Sequence, residues 1–105
     1  MHIVALRNLE RFWQQLKGKT AEGARKAWLA EAKAAKWLSP QDIKKQYANA
    51  SVIANNRIVF NIKGNDYRLI VAIAYKAQYI YVKFIGTHAE YDKVDAAFID
   101  QFSGE

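Results

Sequence analysis

The sequence of 105 residues contains no cysteine, one proline and five glycines. The absence of cysteine excludes thiol catalysis, Cys-ligated zinc and disulfide bonds. The longest apolar run, Leu69–Tyr75, is far shorter than the roughly 20 residues that a membrane-spanning helix needs. No basic segment followed by an apolar run marks a secretion signal at the N-terminus. We therefore expect a single cytoplasmic domain over residues 1–105, without contact to a membrane.

Acidic residues are scarce over most of the chain. Residues 1–85 hold 15 of the 16 lysines and arginines but only five of the ten acids, a net charge of +10. Residues 86–105 hold one lysine and five acids, a net charge of −4. A domain this basic attracts polyanions, of which nucleic acid is the first candidate. The alternative is that lysine-rich helix faces only keep a small protein soluble.

Apolar residues recur at helical spacing in the first half of the chain. After a short apolar start at Ile3–Ala5, interpreted as a strand, one helix is predicted to stop at Gly18 and a second to begin after Thr20, a candidate N-cap. The segment 39–42, which places proline at the first helical position, predicts a short third helix to about Tyr47. The tryptophans fall on apolar stripes of the helical half and are assigned to the core: Trp13, Trp28 and Trp37.

From Arg57 the periodicity changes from helical to alternating. Three strands are predicted, with two-residue loops at Gly64-Asn65, a good hairpin signal, and at Ala77-Gln78, a weak one: Arg57–Ile62, Asp66–Lys76 and Tyr79–Thr87. This order of elements predicts an α+β fold, β-α-α-β-β-β with a short C-terminal helix. In such a fold the helices pack on one face of an antiparallel sheet.

The two loops fix which strand residues face each other. The first loop places Asn61 opposite Arg68. The second places Ala72 opposite Lys83, and Arg68 opposite Thr87. In these registers an apolar face should receive the helices: Ile58, Phe60, Ile62, Tyr67, Leu69, Val71, Ile73, Ile80, Val82 and Phe84. The other face, called the basic face below, collects every cation of the strand interiors: Arg57, Val59, Asn61, Arg68, Ile70, Ala72, Ala74, Tyr79, Tyr81, Lys83, Ile85 and Thr87.

The basic face is predicted to be open to solvent. Arginine suits bidentate contact with phosphate, lysine acts as a point charge, and tyrosine offers a ring on which a base can stack. Aromatic rings interleaved with cations favour RNA or single-stranded nucleic acid, so Arg57 and Tyr81 are candidate RNA-binding residues. The alternative is an ordinary sheet face that shows its charges to water.

The segment 87–92 combines a helix start with groups that can move protons. Thr87 and Glu90 have the spacing of a capping box, which predicts that a helix begins at His88. The helix dipole and nearby Arg68 both favour a neutral imidazole that can take a proton. Cleavage of RNA by its own 2′-hydroxyl needs a base, cations around the phosphorane and an acid for the leaving oxygen. It needs no metal or cofactor, because the nucleophile belongs to the substrate. The alternative is an ordinary surface histidine behind a cap.

Over about residues 55–95 the chain resembles the HigB-type toxins of bacterial toxin–antitoxin pairs, within the RelE-like superfamily. The matching stretches lie in the predicted meander and the segment behind it: Phe60-Asn61-Ile62-Lys63-Gly64-Asn65 with Arg68, Tyr81-Val82-Lys83, and Thr87-His88-Ala89-Glu90-Tyr91-Asp92. The resemblance implies a ribosome-dependent endoribonuclease that cleaves translated mRNA in the bacterial cytoplasm. It also implies neutralisation by a HigA-type helix-turn-helix antitoxin, through which alone the toxin would meet operator DNA.

The resemblance further implies a set of catalytic residues: Arg68, Lys83, His88 and Tyr91. His88 would be the general base or acid, and Tyr91 the complementary acid or a stacking ring. Arg68 and Lys83 would hold the scissile phosphate. Asn61 would orient the RNA, and Asp92, also counted among the RNA-binding residues, would fix the local loop.

The superfamily leaves other activities open. Its toxins vary in their catalytic residues, and some relatives with this fold poison DNA gyrase without cutting RNA. A non-nuclease toxin that inhibits gyrase or binds the ribosome, and a non-toxic basic nucleic-acid-binding module, therefore stay as alternatives to the endoribonuclease.

Overall fold

The computed structural model of the chain describes residues 1–15, 22–62 and 66–102. Its elements, in chain order, are β1 (His2–Val4), α1 (Leu6–Gln15), α2 (Glu22–Ala34), α3 (Pro40–Gln46), β2 (Ser51–Ile53), β3 (Arg57–Ile62), β4 (Tyr67–Ala74), β5 (Tyr79–Thr87) and α4 (His88–Tyr91). This order confirms the predicted α+β class, in which the main helices precede the sheet. The predicted helix stop at Gly18, the N-cap at Thr20 and the Gly64-Asn65 loop lie outside the described residues.

The strands form one sheet in the order β1-β5-β4-β3-β2. β1 pairs in parallel with β5, and Ile3 lies opposite Ile80. The remaining neighbours are antiparallel. The N-terminal strand predicted from the sequence is therefore an edge strand. The strands β4 and β5, which carry the predicted site residues Arg68, Tyr81 and Lys83, are interior strands.

The main core lies between the apolar face of the sheet and the helices. Phe60 lies among three aromatic rings, because its centroid is 5.5 Å from that of Trp28, 6.1 Å from that of Trp37 and 5.1 Å from that of Tyr47. Trp28 and Trp37 are buried, and Trp13 is partly buried against the same core. The prediction that the tryptophans are core residues is confirmed.

The third helix begins as predicted but is capped differently. Proline stands in its first turn, after Ser39 in an extended conformation, yet the Ser39 side chain makes no capping hydrogen bond. Oδ2 of Asp42 instead accepts a hydrogen bond from the backbone N–H of Leu38, at 2.9 Å. The carboxylate of the first turn thus holds the residue before the N-cap, and the N–H of Asp42 itself donates to the carbonyl of Ser39 at 3.1 Å.

A hydrogen-bond network joins α2 to α3. The Tyr47 hydroxyl donates to Glu31, and Nε2 of Gln46 donates to Oε2 of the same carboxylate at 3.1 Å. Burial, with the hydrogen bond to Glu31 as the next cause, raises the pKa of Tyr47 above its ordinary value of 10.0. Ionisation of this phenol is therefore opposed in the folded chain.

Strand β2 was not predicted from the sequence. Ile53 pairs with Arg57, so the connection between β2 and β3 is the three residues 54–56. Asn55 and Asn56 both adopt positive φ, 63° and 58°. Asparagine is one of the few residues that adopts this left-handed conformation readily, so this pair is the signal by which the hairpin could have been found.

The predicted register between β3 and β4 is confirmed, and the one between β4 and β5 is wrong. Asn61 lies opposite Arg68 as expected. Ala72 lies opposite Tyr81 instead of Lys83, because the loop contains the four residues 75–78 and not two. Gln78 closes that loop in a left-handed conformation.

A β-bulge at Lys83 changes the faces of β5. Val71 pairs with Val82 but Ile70 pairs with Phe84, so the register shifts by one residue. Beyond the shift Phe84 lies on the basic face and Ile85 in the main core, the reverse of the prediction. Together, the longer loop and the bulge place Gly86, and not Thr87, opposite Arg68. The two adjacent apolar residues 84 and 85 had no alternation by which to fix their faces.

The basic face is not open as predicted, because the C-terminal segment, residues 94–102, covers part of it. Its apolar side chains pack with Ile53 and Tyr91 on a second cluster formed by Val59, Ile70 and Phe84: Val94, Ala96 and Ile99. The backbone N–H of Gln101 donates to the carbonyl of Lys83 at 2.9 Å, and Oε1 of Gln101 accepts from the N–H of Ile85 at 3.0 Å. The segment thus satisfies backbone groups of β5 beyond Tyr81, where the pairing with β1 ends.

Candidate functional site

Strand β5 leads directly into the single turn of α4, and Thr87 caps that turn. Oγ1 of Thr87 accepts from the N–H of Glu90 at 3.2 Å, and Oε1 of Glu90 accepts from the N–H of Thr87 at 2.9 Å. These two bonds confirm the predicted capping box. The N–H of His88 also donates to the carbonyl of Asp66 at 3.3 Å, so the backbone that carries His88 is held to the start of β4 as well as to its own helix.

The imidazole of His88 is paired with Asp92. Nδ1 of His88 lies 3.1 Å from Oδ2 of Asp92, and about half of each side chain is exposed. When Nδ1–H donates to the carboxylate, Nε2 carries the lone pair and can accept a proton. A carboxylate in this position fixes the tautomer and orientation of a catalytic histidine. The sequence predicted only a loop-fixing or RNA-binding role for Asp92 and missed this contact.

Arg68 and Tyr91 meet next to this pair. The guanidinium carbon of Arg68 lies 5.8 Å from the centroid of the Tyr91 ring, within cation–π range. The ring is half-buried and packs against the second cluster, of which Phe84 is a member. Because Arg68 lies opposite Gly86, it stands two residues along β5 from the start of α4. Arg68, Tyr91 and the His88–Asp92 pair therefore form one group at this end of the strand, called the α4 site below.

Asn61 extends the same row of the sheet on to β3. It lies opposite Arg68, and its Nδ2 is 3.4 Å from the carbonyl of Asn49, a long hydrogen bond. Asn61, Arg68 and Gly86 thus follow one another across three strands. An amide at the end of this row can orient a substrate bound over Arg68, as the resemblance implies.

Gly86 is required by the packing behind the α4 site. A Cβ at this position would lie 2.7 Å from Cζ of Phe84 and 3.3 Å from Cβ of Glu90. The Phe84 ring therefore fills the space that a side chain at residue 86 would need. This close approach joins the second cluster to the residue that closes the capping box of α4.

Lys83 does not join the α4 site. Its Nζ lies 3.3 Å from Oδ2 of Asp100 and 5.9 Å from the centroid of the Tyr81 ring, two residues back along β5. Lys83 and Tyr81 both line a cleft against the start of α1. The structure thus separates the predicted cations: Arg68 lies beside α4, and Lys83 leans towards the opposite end of the strand. Lys83 is also the extra residue of the bulge, which the sequence-based register, an unbroken ladder, did not include.

Arg57 is not exposed on the basic face. Only 8% of the residue is accessible, and its Nη1 donates to the carbonyls of Ala96, at 3.0 Å, and of Ile99. Asn55 adds a hydrogen bond from Nδ2 to the carbonyl of Ala97, at 2.8 Å. The prediction of Arg57 as a surface residue assumed an uncovered sheet. In the structure its guanidinium anchors the C-terminal segment.

The cleft near Lys83 is lined by further residues that sequence reasoning missed. Arg7 and Arg11 of α1 and Asp100 of the C-terminal segment all face it. The spacing of the two arginines, four residues apart on a helix, indicated a shared face. Nothing in the sequence indicated that this face would meet β5, because that contact depends on the parallel pairing of β1 with β5.

The residues that the structure describes contain neither a metal-ligand cluster nor a membrane-spanning helix. These residues contain no group of three or more histidine, aspartate and glutamate side chains that could hold a metal ion. None of the described helices is long and apolar enough to cross a membrane.

Comparison with known proteins gives the family. No curated protein sequence matches the chain. A family model described as HigB toxin, the RelE-like toxic component of a toxin–antitoxin system, matches residues 21–94. That range covers well over half of the chain and includes Asn61 and the whole α4 site. The chain therefore belongs to the HigB toxin family of RelE-like toxins.

Proposed function

We propose that this toxin is a ribosome-dependent endoribonuclease that cleaves translated mRNA in the bacterial cytoplasm. The observation that carries the proposal is that Arg68 contacts the ring of Tyr91, which lies on the same short helix as the His88 of the His88–Asp92 pair. A proton acceptor and a cation suited to phosphate are the groups that cleavage by the RNA's own 2′-hydroxyl requires. Membership of the HigB family supports the same activity.

In the proposed reaction Nε2 of His88 takes the proton of a 2′-hydroxyl. The resulting oxygen attacks the adjacent phosphorus, the bond to the 5′-oxygen of the next nucleotide breaks, and a 2′,3′-cyclic phosphate remains. The proton returns from the imidazolium to the leaving 5′-oxygen through water. Asp92 stabilises the imidazolium in the interval, and no metal or other cofactor takes part because the RNA supplies the nucleophile.

Arg68 holds the phosphate undergoing the reaction. Its planar guanidinium can contact two phosphate oxygens at once, which a lysine cannot do. Tyr91 acts through its ring as a positioning residue, since the half-buried ring supports Arg68 from below. Asn61, in the same row as Arg68, orients the nucleotide next to the cleaved bond.

The proposed partners follow from the family. A toxin–antitoxin toxin has a cognate antitoxin, and we propose a HigA-type helix-turn-helix protein that neutralises the enzyme and alone contacts operator DNA. Co-purification with the product of the neighbouring reading frame, and loss of mRNA cleavage in that complex, tests this proposal. A neighbouring product that leaves cleavage unchanged would contradict it.

The proposed activity is tested on translating ribosomes. Purified toxin is added to ribosomes stalled on a defined mRNA, and cuts are mapped by primer extension. We expect cuts inside the reading frame with wild-type protein, cutting about 10²- to 10⁴-fold slower with His88→Ala, and no cuts in naked mRNA. Lys93→Ala, which removes a charge close to α4, is the control and should cut normally. Growth arrest by wild-type protein with all transcripts intact would overturn the nuclease and favour a poison of gyrase or of the ribosome.

A further inference from the structure

A second cationic surface lies away from the α4 site, in the cleft between the start of α1 and β5. The cleft encloses about 770 Å³ and is lined by side chains of both elements and of the C-terminal segment. Three of its lining residues are cations: Arg7, Arg11 and Lys83. The β1–β5 pairing creates this cleft, because the chain leaves β1 beside Tyr81 and enters α1 at once.

The chemistry of the cleft suits a nucleotide chain. Arg7 and Arg11 are exposed and lie one helical turn apart, so their guanidinium groups can contact successive phosphates. Tyr81, on the opposite wall, offers a ring to a base and already has the ammonium group of Lys83 at 5.9 Å from its centroid. Cations that follow a groove beside an aromatic ring are the recurring form of single-stranded nucleic-acid sites.

An anionic group already occupies part of the cleft. Asp100 is the only acid among the described lining residues, and its carboxylate lies 3.3 Å from Nζ of Lys83. Both side chains are partly exposed, and ion pairs of that kind are weak. A phosphate oxygen, which carries the same charge, can therefore replace the carboxylate on Lys83.

We propose that this cleft binds the backbone of single-stranded RNA. In the absence of RNA, the Asp100 carboxylate occupies the position on Lys83 that one phosphate takes when RNA binds. The inference rests on the proposed function, because it supplies a second contact for the same mRNA. Lys83 precedes Thr87, the last residue of β5, by four residues, a distance on the order of 13 Å along a strand, and His88 follows Thr87 directly. An RNA chain that reaches from the α4 site to the cleft would cross the covered part of the basic face within a few nucleotides.

Binding of a fluorescent oligoribonucleotide without ribosomes tests the cleft separately from catalysis. Arg7→Ala/Arg11→Ala is compared with Lys36→Ala/Lys45→Ala, which removes the same charge from exposed positions that do not line the cleft. We expect the cleft variant to bind at least tenfold more weakly than the control variant. The slope of log affinity against log salt should fall by about 0.7 for each phosphate that the variant no longer binds. Equal affinities of the two variants, both folded by circular dichroism, would overturn the proposal.

The role of Asp100 is tested by a matched pair of variants. Asp100→Asn should bind the oligonucleotide several-fold more tightly than wild type. Asp95→Asn removes the same charge from the same segment and keeps an oxygen for the N–H of Ala97, which Oδ1 of Asp95 accepts at 3.2 Å. An equal gain in both variants would mean that net charge alone matters and would overturn the place-holding role.

The remaining outcomes separate this inference from the proposed function. If cleavage on ribosomes depends on His88 but the cleft variants bind and cut normally, the cleft proposal is wrong and the endoribonuclease proposal is kept. If oligonucleotide binding depends on Arg7 and Arg11 but the protein never cuts mRNA, the cleft proposal is supported and the endoribonuclease proposal is wrong. Displacement of the oligonucleotide by polyglutamate at equal concentration would overturn RNA as the ligand and indicate an acidic protein partner.

Discussion

Nδ1 of His88 and Oδ2 of Asp92 lie 3.1 Å apart, at the start of α4 and just beyond its end. The capping box of Thr87 and Glu90 fixes the turn between them. The contact is therefore built into the local fold and does not depend on substrate. We therefore propose that Asp92 orients the imidazole, whereas the sequence alone predicted a role in fixing the loop or in binding RNA.

Asp92→Asn should slow mRNA cleavage less than His88→Ala does. Loss of the general base should reduce kcat by about 10²- to 10⁴-fold. The asparagine can still accept the hydrogen bond from Nδ1–H but carries no charge to stabilise the imidazolium. We expect an intermediate kcat and an unchanged KM on translating ribosomes. An Asp92→Asn variant that cleaves at the wild-type rate would show that the carboxylate has no part in the reaction.

Arg68→Lys should lose most of the cleavage activity even though the charge is retained. Lysine contacts phosphate through one point charge and cannot reproduce the planar contact of the guanidinium. The measurement is single-turnover cleavage of ribosome-bound mRNA. Activity of Arg68→Lys equal to wild type would mean that charge alone is needed at this position.

Two variants of Tyr91 distinguish a role of its ring from a role of its hydroxyl. Tyr91→Phe keeps the ring beneath Arg68 and should retain cleavage to within a few-fold, whereas Tyr91→Leu removes the cation–π contact and should reduce kcat strongly. Rescue by phenylalanine is the outcome that identifies a positioning role. Equal loss in both variants would assign the proton of the leaving oxygen to the Tyr91 hydroxyl instead.

Gly86→Ala should destabilise the fold and disturb α4 together. The new Cβ would meet the Phe84 ring at 2.7 Å, and overpacking of this kind typically costs about 1–3 kcal/mol. The free energy of unfolding in urea measures the loss. Phe84→Leu removes the ring that the new Cβ would meet. Adding Gly86→Ala to Phe84→Leu should therefore lower the free energy of unfolding by less than adding Gly86→Ala to wild type does. Additive losses in the double variant would contradict the contact.

The pH dependence of stability at alkaline pH should show the contribution of the hydrogen-bond network between α2 and α3. Because the pKa of Tyr47 is raised above 10.0 in the folded chain by burial and by Glu31, the folded state holds the proton more tightly than the unfolded state. The contribution to stability is therefore complete below pH 10 and is lost as the pH rises through the folded pKa. Urea midpoints between pH 9 and about 11 should fall less steeply for Tyr47→Phe than for wild type.

Tyr75, whose pKa burial also raises, remains in both proteins and supplies a common background. Tyr75→Phe is accordingly the matched comparison for Tyr47→Phe. Identical pH dependence of wild type and Tyr47→Phe would contradict the assignment of the shift to Tyr47.

Local patterns in the sequence were sufficient for much of the site. Thr87 and Glu90 predicted the capping box because both partners lie within one turn. The pairing of Asn61 with Arg68 followed from alternation in two strands joined by a short connection. These features depend on neighbours in the chain, and the structure confirms them.

The failures have long-range or cooperative causes. Phe84 and Ile85 are adjacent apolar residues, so alternation could not decide which of them faces the helices, and the bulge at Lys83 decides it. The fate of Arg57 depends on carbonyls about 40 residues further along. The C-terminal segment that supplies them has an acidic composition and no clear period, so its docking on the sheet could not be predicted from local pattern.

The central claim is that His88 and Arg68 act on one phosphate, and a double-mutant cycle of single-turnover cleavage on ribosomes tests it most directly. The variants are His88→Ala, Arg68→Ala and the two combined. Residues that act as one unit give strongly non-additive losses, so we predict that the combined variant is no slower than the slower single variant. Losses that multiply would mean that the two side chains act independently, and the proposed site would be wrong.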